Sequence, residues 1–320
     1  MRIAILGCGA AGSVIAGYLK KGGAEDITLI DLYKAHMDTI AEKGLRFQCP
    51  EGECTLNGFH TAYSADEVGI VDILILMVKC TQTEAALSSA QSCIGPETVI
   101  VTLQNGLGND EKCKKFVALD RIIMGCGNIG TELAGPGACV AKPHPGLNMY
   151  LGPCEKSVLN DQAGAYLERC FREGGLRPRY FEDVRPYIWK KATSNCANNT
   201  VCAVLGLKIG EVEADPYGRQ LTRGVFREAA DVAEAMGIHG IWEYILEDQV
   251  HVVESLGDYY PSMAQDMLIN QRQTEVDYMT GAISNYGRQV NIPTPTCDLL
   301  TCIVKAKQAN YDRLYVKKEQ

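Results

Sequence analysis

The sequence lacks the features that usually identify metal-binding, membrane-spanning and nucleic-acid-binding proteins. It has fourteen cysteines, but no two stand at C-x-x-C spacing, so we expect most of them to be buried thiols and we expect no metal site. The longest apolar run, 71–78, contains Asp72 and is too short to span a bilayer. Lysine and arginine nowhere cluster with aromatic residues, and the net charge is −8, so nucleic acid is not an expected partner.

We also expect no leader segment, because residues 1–6 run straight into a glycine-rich loop and leave no room for a charged and an apolar leader region. We therefore expect a cytoplasmic protein that does not associate with membranes. With 320 residues, 46% of them hydrophobic and 22% charged, the chain is long enough for two globular domains.

Strand-like and helix-like segments alternate in the first half of the chain. Apolar strands are predicted at 2–6, 27–31, 71–78, 98–103 and 122–124, and helices at 11–21, 35–43, 83–92 and 159–172; a short segment, 177–181, closes this half. After Asp183 only helices are predicted, at 188–205, 220–236, 241–256, 263–290 and 297–307. The sequence therefore predicts an α/β chain: a Rossmann-type domain with a doubly wound parallel sheet over 1–182, followed by an all-helical domain over 183–320.

A glycine-rich loop follows the first predicted strand and opens the first helix: Gly7-Cys8-Gly9-Ala10-Ala11-Gly12. Gly7 allows a tight turn, Gly9 lets the backbone approach a pyrophosphate, and Gly12 allows close packing of helix on strand. The helix N-terminus adds free N–H groups and a positive partial charge. We expect this loop to bind a dinucleotide; a glycine-rich turn without a ligand is the alternative.

The acidic residue Asp31 ends the second predicted strand and bears on the choice of dinucleotide. A carboxylate there can accept hydrogen bonds from ribose hydroxyls and repels a 2′-phosphate, so it favours NAD over NADP. Lys34 and His36 follow closely and could soften that repulsion. A solvated strand end is the alternative interpretation of Asp31.

Polar residues also follow the next two predicted strands. Lys79 ends the long apolar strand, and Gln104-Asn105-Gly106 follows the strand after it. Ligands of open α/β sheets bind outside the carboxyl ends of the strands, so we expect both features on the cofactor side. Each alone has an ordinary alternative, since a lysine at a strand end is usually solvated and an Asn-Gly pair is usually a turn.

Three polar residues share one face of the first helix of the second domain, because Lys191, Asn195 and Asn199 recur at i, i+4 and i+8. Their neighbours are small and apolar, which predicts a largely buried helix whose polar groups need partners. A substrate cleft would supply those partners; hydrogen bonds between helices are the alternative. A later helix is predicted to begin near Ser262 and to carry Glu275, which could also be a surface acid.

Together these residues resemble the ketopantoate reductase (2-dehydropantoate 2-reductase) family, whose members reduce a 2-keto acid to a 2-hydroxy acid in pantothenate biosynthesis. The resemblance covers nearly the whole chain, and its elements stand in the family's order. They are the glycine-rich loop, Lys79, the Gln104-Asn105-Gly106 turn, the Trp-x-Lys-Lys-x₃-Asn-x₃-Asn helix and the Ser-Met-x-Gln-Asp…Thr-Glu-x-Asp segment.

The resemblance implies catalytic roles for Lys191 and Glu275. Lys191 would give a proton to the carbonyl oxygen as hydride arrives from the nicotinamide, and Glu275 would bind the substrate and help to hold Lys191. A positioned ammonium suits this reaction, because negative charge develops on the oxygen of a ketone that is being reduced.

The resemblance also implies binding roles. The substrate, a small 2-keto acid, would contact Asn105, Asn195, Asn199 and Ser262. NAD(P)H would contact the loop from Gly7 to Gly12, Asp31, Lys79, Gln104 and Asn105. The family's usual cofactor is NADPH, whereas Asp31 favours NADH. The sequence leaves open whether the protein forms a homodimer.

Three positions depart from the family's pattern and leave alternatives open. Asp31 stands where NADPH-using members have a basic residue, and Thr200 stands where proline is common. The interval from Ser262 to Glu275 is one residue longer than usual, which could move Ser262 off the substrate face. An NADH-dependent D-2-hydroxyacid dehydrogenase acting on another branched or aromatic 2-keto acid is therefore an alternative. A dinucleotide-binding regulatory protein without catalysis is another.

Overall fold

Residues 1–314 are described by the computed structural model, and their strands and helices fall into two units. The first comprises Met1–Gln104 and Asn109–Val184, and the second comprises Asn105–Gly108 and the described chain from Arg185 onward. The strands are β1 (Ile3–Leu6), β2 (Ile27–Ile30), β3 (Leu45–Cys49), β4 (Gly52–Leu56), β5 (His60–Ala62), β6 (Val71–Leu76), β7 (Ile94–Thr102), β8 (Ile122–Gly127), β9 (Ile129–Leu133), β10 (Ala138–Pro143), β11 (Met149–Pro153) and β12 (Pro178–Tyr180).

Helices occur in both units. The first unit contains α1 (Ala10–Lys21), α2 (Lys34–Lys43), α3 (Thr83–Ser89), α4 (Asn109–Cys113) and α5 (Val158–Glu173). The second contains α6 (Arg185–Leu205), α7 (Ile209–Ala214), α8 (Pro216–Ala235), α9 (Ile241–Leu256), α10 (Ser262–Ala264), α11 (Thr280–Val290) and α12 (Pro295–Gln308). A Rossmann-type unit and a helical unit are therefore confirmed.

Within residues 1–314, an eight-stranded sheet has the order β12-β11-β8-β7-β6-β1-β2-β5. Six neighbouring strands are parallel to one another: β8, β7, β6, β1, β2 and β5. A parallel sheet was predicted, but β11 is antiparallel to β8, so the sheet as a whole is mixed. Alternate residues of β1 enter two different cores: Ile5 lies in one and Leu6 in the other. Because both faces are covered, this strand is apolar throughout.

A second, four-stranded sheet, β4-β3-β10-β9 within the described chain, was not predicted. Its strand β4 is mostly exposed and polar, so it lacks the apolar pattern on which the prediction relied. The sheet packs on α1 through Phe47, whose ring meets the Tyr18 ring edge-on at 5.0 Å between centroids. A Cβ on Gly17 would lie 2.6 Å from Phe47 Cδ2, so glycine is what lets the ring lie against the helix.

One continuous helix over 263–290 was predicted, and this prediction is wrong. The chain forms α10, then a π-helical turn (Gln265–Ile269), a non-helical stretch, a short 3₁₀ turn (Val276–Tyr278) and α11. At the break the chain folds back on itself: the Arg272 N–H donates to Asp266 O at 3.0 Å, and the Arg272 guanidinium pairs with the Asp266 carboxylate at 2.6 Å. Gln271 has a φ of 48°, which no regular helix allows.

Eleven of the cysteines are buried, which confirms that most are small core residues. Cys302 is exposed, although it lies in an apolar stretch of sequence that predicted burial. Among residues 1–314, no group of three or more histidine, cysteine, aspartate or glutamate side chains could hold a metal ion. No helix in that same part of the chain is both long and apolar enough to cross a membrane.

Candidate active site

The glycine-rich loop follows β1 at the carboxyl edge of the parallel strands. Gly7 has a φ of +96°, and a Cβ on it would lie 2.6 Å from Val78 N. A Cβ on Gly12 would lie 2.0 Å from Gly7 O, so the start of α1 packs on the loop as only glycine permits. Because β2 and β6 flank β1 on opposite sides, the loop lies where the order of the strands reverses, which is where open α/β sheets bind ligands.

The tip of the loop is open. Gly9 is exposed, and no atom of residues 1–314 lies within 4 Å of a Cβ built there. Gly9 is the N-cap of the twelve-residue helix α1, and no side chain of the described chain caps that helix end. The first N–H groups of a helix need partners, and an anion supplies them. The residues present thus fit the pyrophosphate of a dinucleotide.

Asp31 directly follows β2 and is half-buried. Its Oδ2 accepts the Cys8 N–H at 2.6 Å, and its Oδ1 accepts the Tyr33 N–H at 2.8 Å. The carboxylate is therefore fixed beside the glycine-rich loop rather than loosely solvated at a strand end. Each oxygen retains a further lone pair with which it can accept a hydroxyl.

Two basic residues that follow Asp31, Lys34 and His36, were predicted to be close enough to soften its repulsion of a 2′-phosphate. His36 does not do so, because it is fully buried and burial lowers its pKa, which leaves the ring neutral near pH 7. The Lys34 ammonium lies 5.5 Å from the centroid of the Tyr63 ring, a cation–π contact.

Lys79 and Gln104 follow adjacent parallel strands, β6 and β7. Lys79 is half-buried and begins a short 3₁₀ turn in which its carbonyl accepts the Gln82 N–H at 2.8 Å. The Gln104 side chain is buried: Nε2 donates to Val78 O at 2.7 Å and to Thr83 Oγ1 at 2.9 Å, and Oε1 accepts from a neighbouring hydroxyl at 3.0 Å. Gln104 therefore fixes the segment that carries Lys79.

In the helical unit, the predicted polar row lies on α6. Lys191 and Asn195 are half-buried, whereas Asn199 is buried. Four residues of helix rise about 6 Å, so the row extends roughly 12 Å from its accessible to its buried end. At the buried end, Asn199 Nδ2 donates to Ser262 Oγ at 3.4 Å and lies 3.8 Å from Met279 Sδ.

Ser262 begins α10 and remains beside Asn199 despite the longer interval to Glu275. The π-helical turn that follows α10 holds one residue more per turn than an α-helix does. We attribute the position of Ser262 to this turn, because it absorbs the extra residue before the chain reaches Glu275. The longer interval therefore does not displace Ser262 from the polar row.

The segment that contains Glu275 links three of the candidate residues within the helical unit. Glu275 is half-buried, and its carbonyl accepts the Tyr278 N–H at 2.9 Å. The Tyr278 carbonyl in turn accepts the Leu107 N–H at 2.9 Å, which anchors the turn that carries the exposed Asn105. Met279, the next residue along, contacts Asn199. Glu275, Asn105 and Asn199 are therefore held by one short segment.

Two sets of buried hydrogen bonds escaped prediction. Asn198, the neighbour of Asn199, forms a reciprocal pair with Gln249 of α9: each amide donates to the other at 3.0 Å. Hydrogen bonding between helices was the alternative interpretation of the polar row, and it applies to Asn198, the residue before Asn199. The available signal was the position of Gln249, which follows Ile241 and Ile245 at intervals of four on the buried face of α9, because a buried amide needs a partner. The second set joins the buried His36 to Ser13 and to Gly137, whereas the sequence suggested for His36 only an effect on the charge of Asp31.

Comparisons with known proteins agree with this geometry. The family model described as "Ketopantoate reductase PanE/ApbA" matches residues 3–155, and its C-terminal counterpart matches residues 183–308. A 2-dehydropantoate 2-reductase of Streptococcus pyogenes serotype M3 is 30% identical over 313 residues, which are 97% of this chain and 98% of the relative.

Two solved structures extend the likeness to the fold. D-mandelate dehydrogenase with NADH and anilino(oxo)acetate has a TM-score of 0.85 and 30% identity, and the match covers 98% of this chain and 99% of that one. A putative 2-dehydropantoate 2-reductase from Enterococcus faecalis has a TM-score of 0.74 and 30% identity, with 97% and 98% covered. The protein is an NAD(P)-dependent oxidoreductase that acts on CH–OH groups. It belongs to the ketopantoate reductase family.

Proposed function

We propose that the protein reduces a 2-keto acid to a 2-hydroxy acid, with ketopantoate as the leading substrate. The supporting observation is the polar row of α6, with Lys191 at its accessible end and Asn199 beside Ser262 at its buried end. In this proposal residues 1–182 bind the dinucleotide and residues 183–320 bind the substrate. The similarity to 2-dehydropantoate 2-reductases over 97% of the chain favours ketopantoate.

Each polar residue has a part in the reaction. NAD(P)H, bound at the loop from Gly7 to Gly12, supplies the hydride. The Lys191 ammonium donates a hydrogen bond to the keto oxygen and transfers the proton as negative charge develops there. Glu275 orients that ammonium and accepts a hydrogen bond from the substrate. Asn199 and Ser262 donate to the carboxylate, whose fixed position orients the keto carbon.

The remaining candidates bind at the edges of the site. Asn195 lies between Lys191 and Asn199 on the same helix face and adds a donor for the substrate. Asn105 and Lys79 contact both substrate and cofactor. Gln104 acts indirectly, through its two bonds to the segment that carries Lys79.

NADH is the proposed cofactor. The Asp31 carboxylate is held in place by two backbone N–H groups, so it cannot swing away from a 2′-phosphate without losing both hydrogen bonds. Its charge repels that phosphate, whereas its remaining lone pairs suit the ribose hydroxyls of NADH. His36 is neutral and gives no compensating charge.

A second candidate substrate class is supported by a separate observation. The proposed preference for NADH and the similarity to D-mandelate dehydrogenase, which was crystallised with NADH, favour a D-2-hydroxyacid dehydrogenase acting on another branched or aromatic 2-keto acid. Both candidates use the same polar row. They differ only in the group attached to the keto acid.

One panel of assays separates the candidates. Oxidation of NADH and of NADPH is followed by absorbance with ketopantoate, 2-ketoisovalerate, 2-ketoisocaproate and phenylglyoxylate. The leading proposal expects the highest kcat/KM with ketopantoate, and the second expects it with one of the other three. Turnover of none of the four, in protein that binds NADH, would contradict both and favour a regulatory role.

A further inference from the structure

A buried chain of hydrogen bonds joins the glycine-rich loop to the turn between β9 and β10. His36 of α2 is fully buried; its Nδ1 accepts the Gly137 N–H at 2.9 Å, and its Nε2 lies 2.9 Å from Ser13 Oγ. Ser13, also fully buried, donates its hydroxyl to Cys8 O at 2.9 Å. Gly137 must be glycine here, because a Cβ on it would lie 2.4 Å from Thr39 Cγ2.

The first donor in this series of hydrogen bonds, the Gly137 N–H, fixes the direction of the others. A backbone N–H can only donate, so Nδ1 of His36 carries a lone pair and the neutral ring carries its proton on Nε2. Nε2 therefore donates to Ser13 Oγ, which leaves the hydroxyl proton of Ser13 for Cys8 O. Burial lowers the pKa of His36 and outweighs the attraction of the Asp31 carboxylate, so the ring is neutral near pH 7.

Holding the carbonyl of Cys8 also fixes the next N–H group. A peptide bond is planar and trans, so the Gly9 N–H points opposite to the Cys8 C=O. On its other side Cys8 is held as well, because its N–H donates to Asp31 Oδ2 at 2.6 Å. The Gly9 N–H is thereby aimed away from Ser13 at the loop tip, where Gly9 is exposed.

We propose that Ser13 and His36 are positioning residues for dinucleotide binding: they hold the Cys8–Gly9 peptide so that the Gly9 N–H meets the pyrophosphate. Both side chains are fully buried and act without touching the cofactor. The inference rests on the proposed cofactor role of the loop.

The first test is Ser13→Ala, which removes the donor to Cys8 O. We expect the Kd for NADH, measured by quenching of protein fluorescence, to rise roughly 3- to 10-fold, as for the loss of one orienting hydrogen bond. The value of kcat at saturating NADH stays near that of the wild type, because the keto acid site is untouched.

Thr98→Val is the matched control. Thr98 is a buried hydroxyl in the same unit that donates to Val71 O at 2.6 Å and accepts the Gly95 N–H at 2.8 Å, but its partner Val71 is the first residue of β6, at the amino end of that strand and away from the glycine-rich loop. We expect Thr98→Val to lower the stability of the protein about as much as Ser13→Ala does and to leave the Kd for NADH unchanged. The proposal is overturned if Ser13→Ala leaves the Kd within two-fold of the wild type, or if Thr98→Val raises it equally.

Two substitutions of His36 separate its two hydrogen bonds. Glutamine carries a donor near the position of Nε2 and retains the bond to Ser13, whereas asparagine mimics Nδ1 and retains only the bond to Gly137. We expect His36→Gln to keep a Kd near that of the wild type and His36→Asn to match Ser13→Ala. Equal affinities in the two variants, or the reverse order, would show that His36 does not act through Ser13.

Gly9→Asp distinguishes failure of this inference from failure of the loop's cofactor role. If Gly9→Asp abolishes NADH binding while Ser13→Ala does not change it, only the positioning role of Ser13 and His36 is wrong. If Gly9→Asp leaves the Kd unchanged, the loop is not the cofactor site, and the inference is overturned together with that part of the proposed function.

Discussion

Two adjacent lysines on α6 allow the catalytic proposal to be tested at the scale of single residues. Lys191 belongs to the polar row, whereas the Lys190 ammonium lies 4.5 Å from the centroid of the Tyr244 ring, in a cation–π contact. We expect Lys191→Ala to lower kcat by roughly 10²- to 10⁴-fold, as for loss of a general acid, and to leave the Kd for NADH unchanged.

Lys190→Ala is the control for Lys191→Ala, because it removes the same charge from the neighbouring position. We expect its kcat to remain within a few-fold of the wild type. A near-normal rate in Lys191→Ala, or an equal loss in both variants, would contradict the role given to Lys191.

Substitutions of Gly9 test whether the glycine-rich loop binds an anion. Its φ of −67° and ψ of −157° suit any residue, and a Cβ there meets open space within the described chain, so substitutions are tolerated sterically. Aspartate is a good N-cap, so Gly9→Asp should preserve or raise the melting temperature of the protein. We expect it to abolish NADH binding in a fluorescence titration, because its carboxylate repels the pyrophosphate.

Gly9→Ser provides the neutral comparison. It adds a capping side chain without a charge, so it should weaken NADH binding far less than Gly9→Asp does. Equal affinities for Gly9→Asp and the wild type would argue against the loop as the pyrophosphate site.

At the scale of elements, α6 carries two neighbouring asparagines with different partners. Asn199 joins Ser262 in the proposed substrate site, whereas Asn198 pairs with Gln249. We expect Asn199→Ala to lower kcat/KM for the keto acid roughly 10- to 100-fold, because it removes a hydrogen bond to a charged group. We expect Asn198→Ala to lower the free energy of unfolding by about 1–3 kcal/mol, because it leaves the buried Gln249 amide without its partner.

The two variants are compared by urea unfolding and by steady-state kinetics on the same preparations. The expected pattern is a split, with activity lost in Asn199→Ala and stability lost in Asn198→Ala while its kcat/KM stays near the wild-type value. If Asn198→Ala lost as much kcat/KM as Asn199→Ala, the assignment of substrate binding to Asn199 and of stability alone to Asn198 would be wrong.

What could be predicted from the sequence depended on whether an element is specified locally. β1 and α1 carry their own signals, an apolar strand and a glycine-rich loop, and both form as predicted. The segment after Ser262 has helical periodicity, but the Asp266–Arg272 ion pair and the contacts of Thr274 with Gln308 override it. Residues six apart, such as Asp266 and Arg272, do not face each other on an α-helix, and Gln308 is distant from Thr274 in sequence. Helical periodicity alone could therefore not reveal these contacts.

The polar row of the candidate site could be predicted for the same reason, since Lys191, Asn195 and Asn199 repeat every four residues along one helix. The partners of Asn198 and His36 could not, because Gln249 and Gly137 are distant in sequence. Their pairing depends on helix packing and on a sheet whose exposed strand gave no apolar pattern. Residues that position a site are therefore harder to predict than residues that line it.

At the scale of the whole molecule, His36 couples folding to pH. Its Nδ1 must be unprotonated to accept the Gly137 N–H, and burial lowers its pKa in the folded protein despite the attraction of Asp31, with the Tyr33 ring stacked 5.8 Å from it. In the unfolded chain a histidine has a pKa of about 6.5, so the unfolded state takes up the proton first as the pH falls. The contribution of His36 to the free energy of unfolding is therefore retained above about pH 6.5 and declines below it, down to the folded pKa.

Urea unfolding between pH 7.5 and pH 5 measures this decline, and His36→Gln isolates it, because glutamine does not titrate and keeps the bond to Ser13. We expect the wild type to lose stability more steeply than His36→Gln as the pH falls from 6.5, although the variant is less stable at pH 7.5. The difference in slope belongs to His36, since the carboxylates that also titrate toward pH 5 are the same in both proteins. Parallel curves would mean that His36 keeps its ordinary pKa when the protein folds, and hence that it does not require the neutral form for its bond to Gly137.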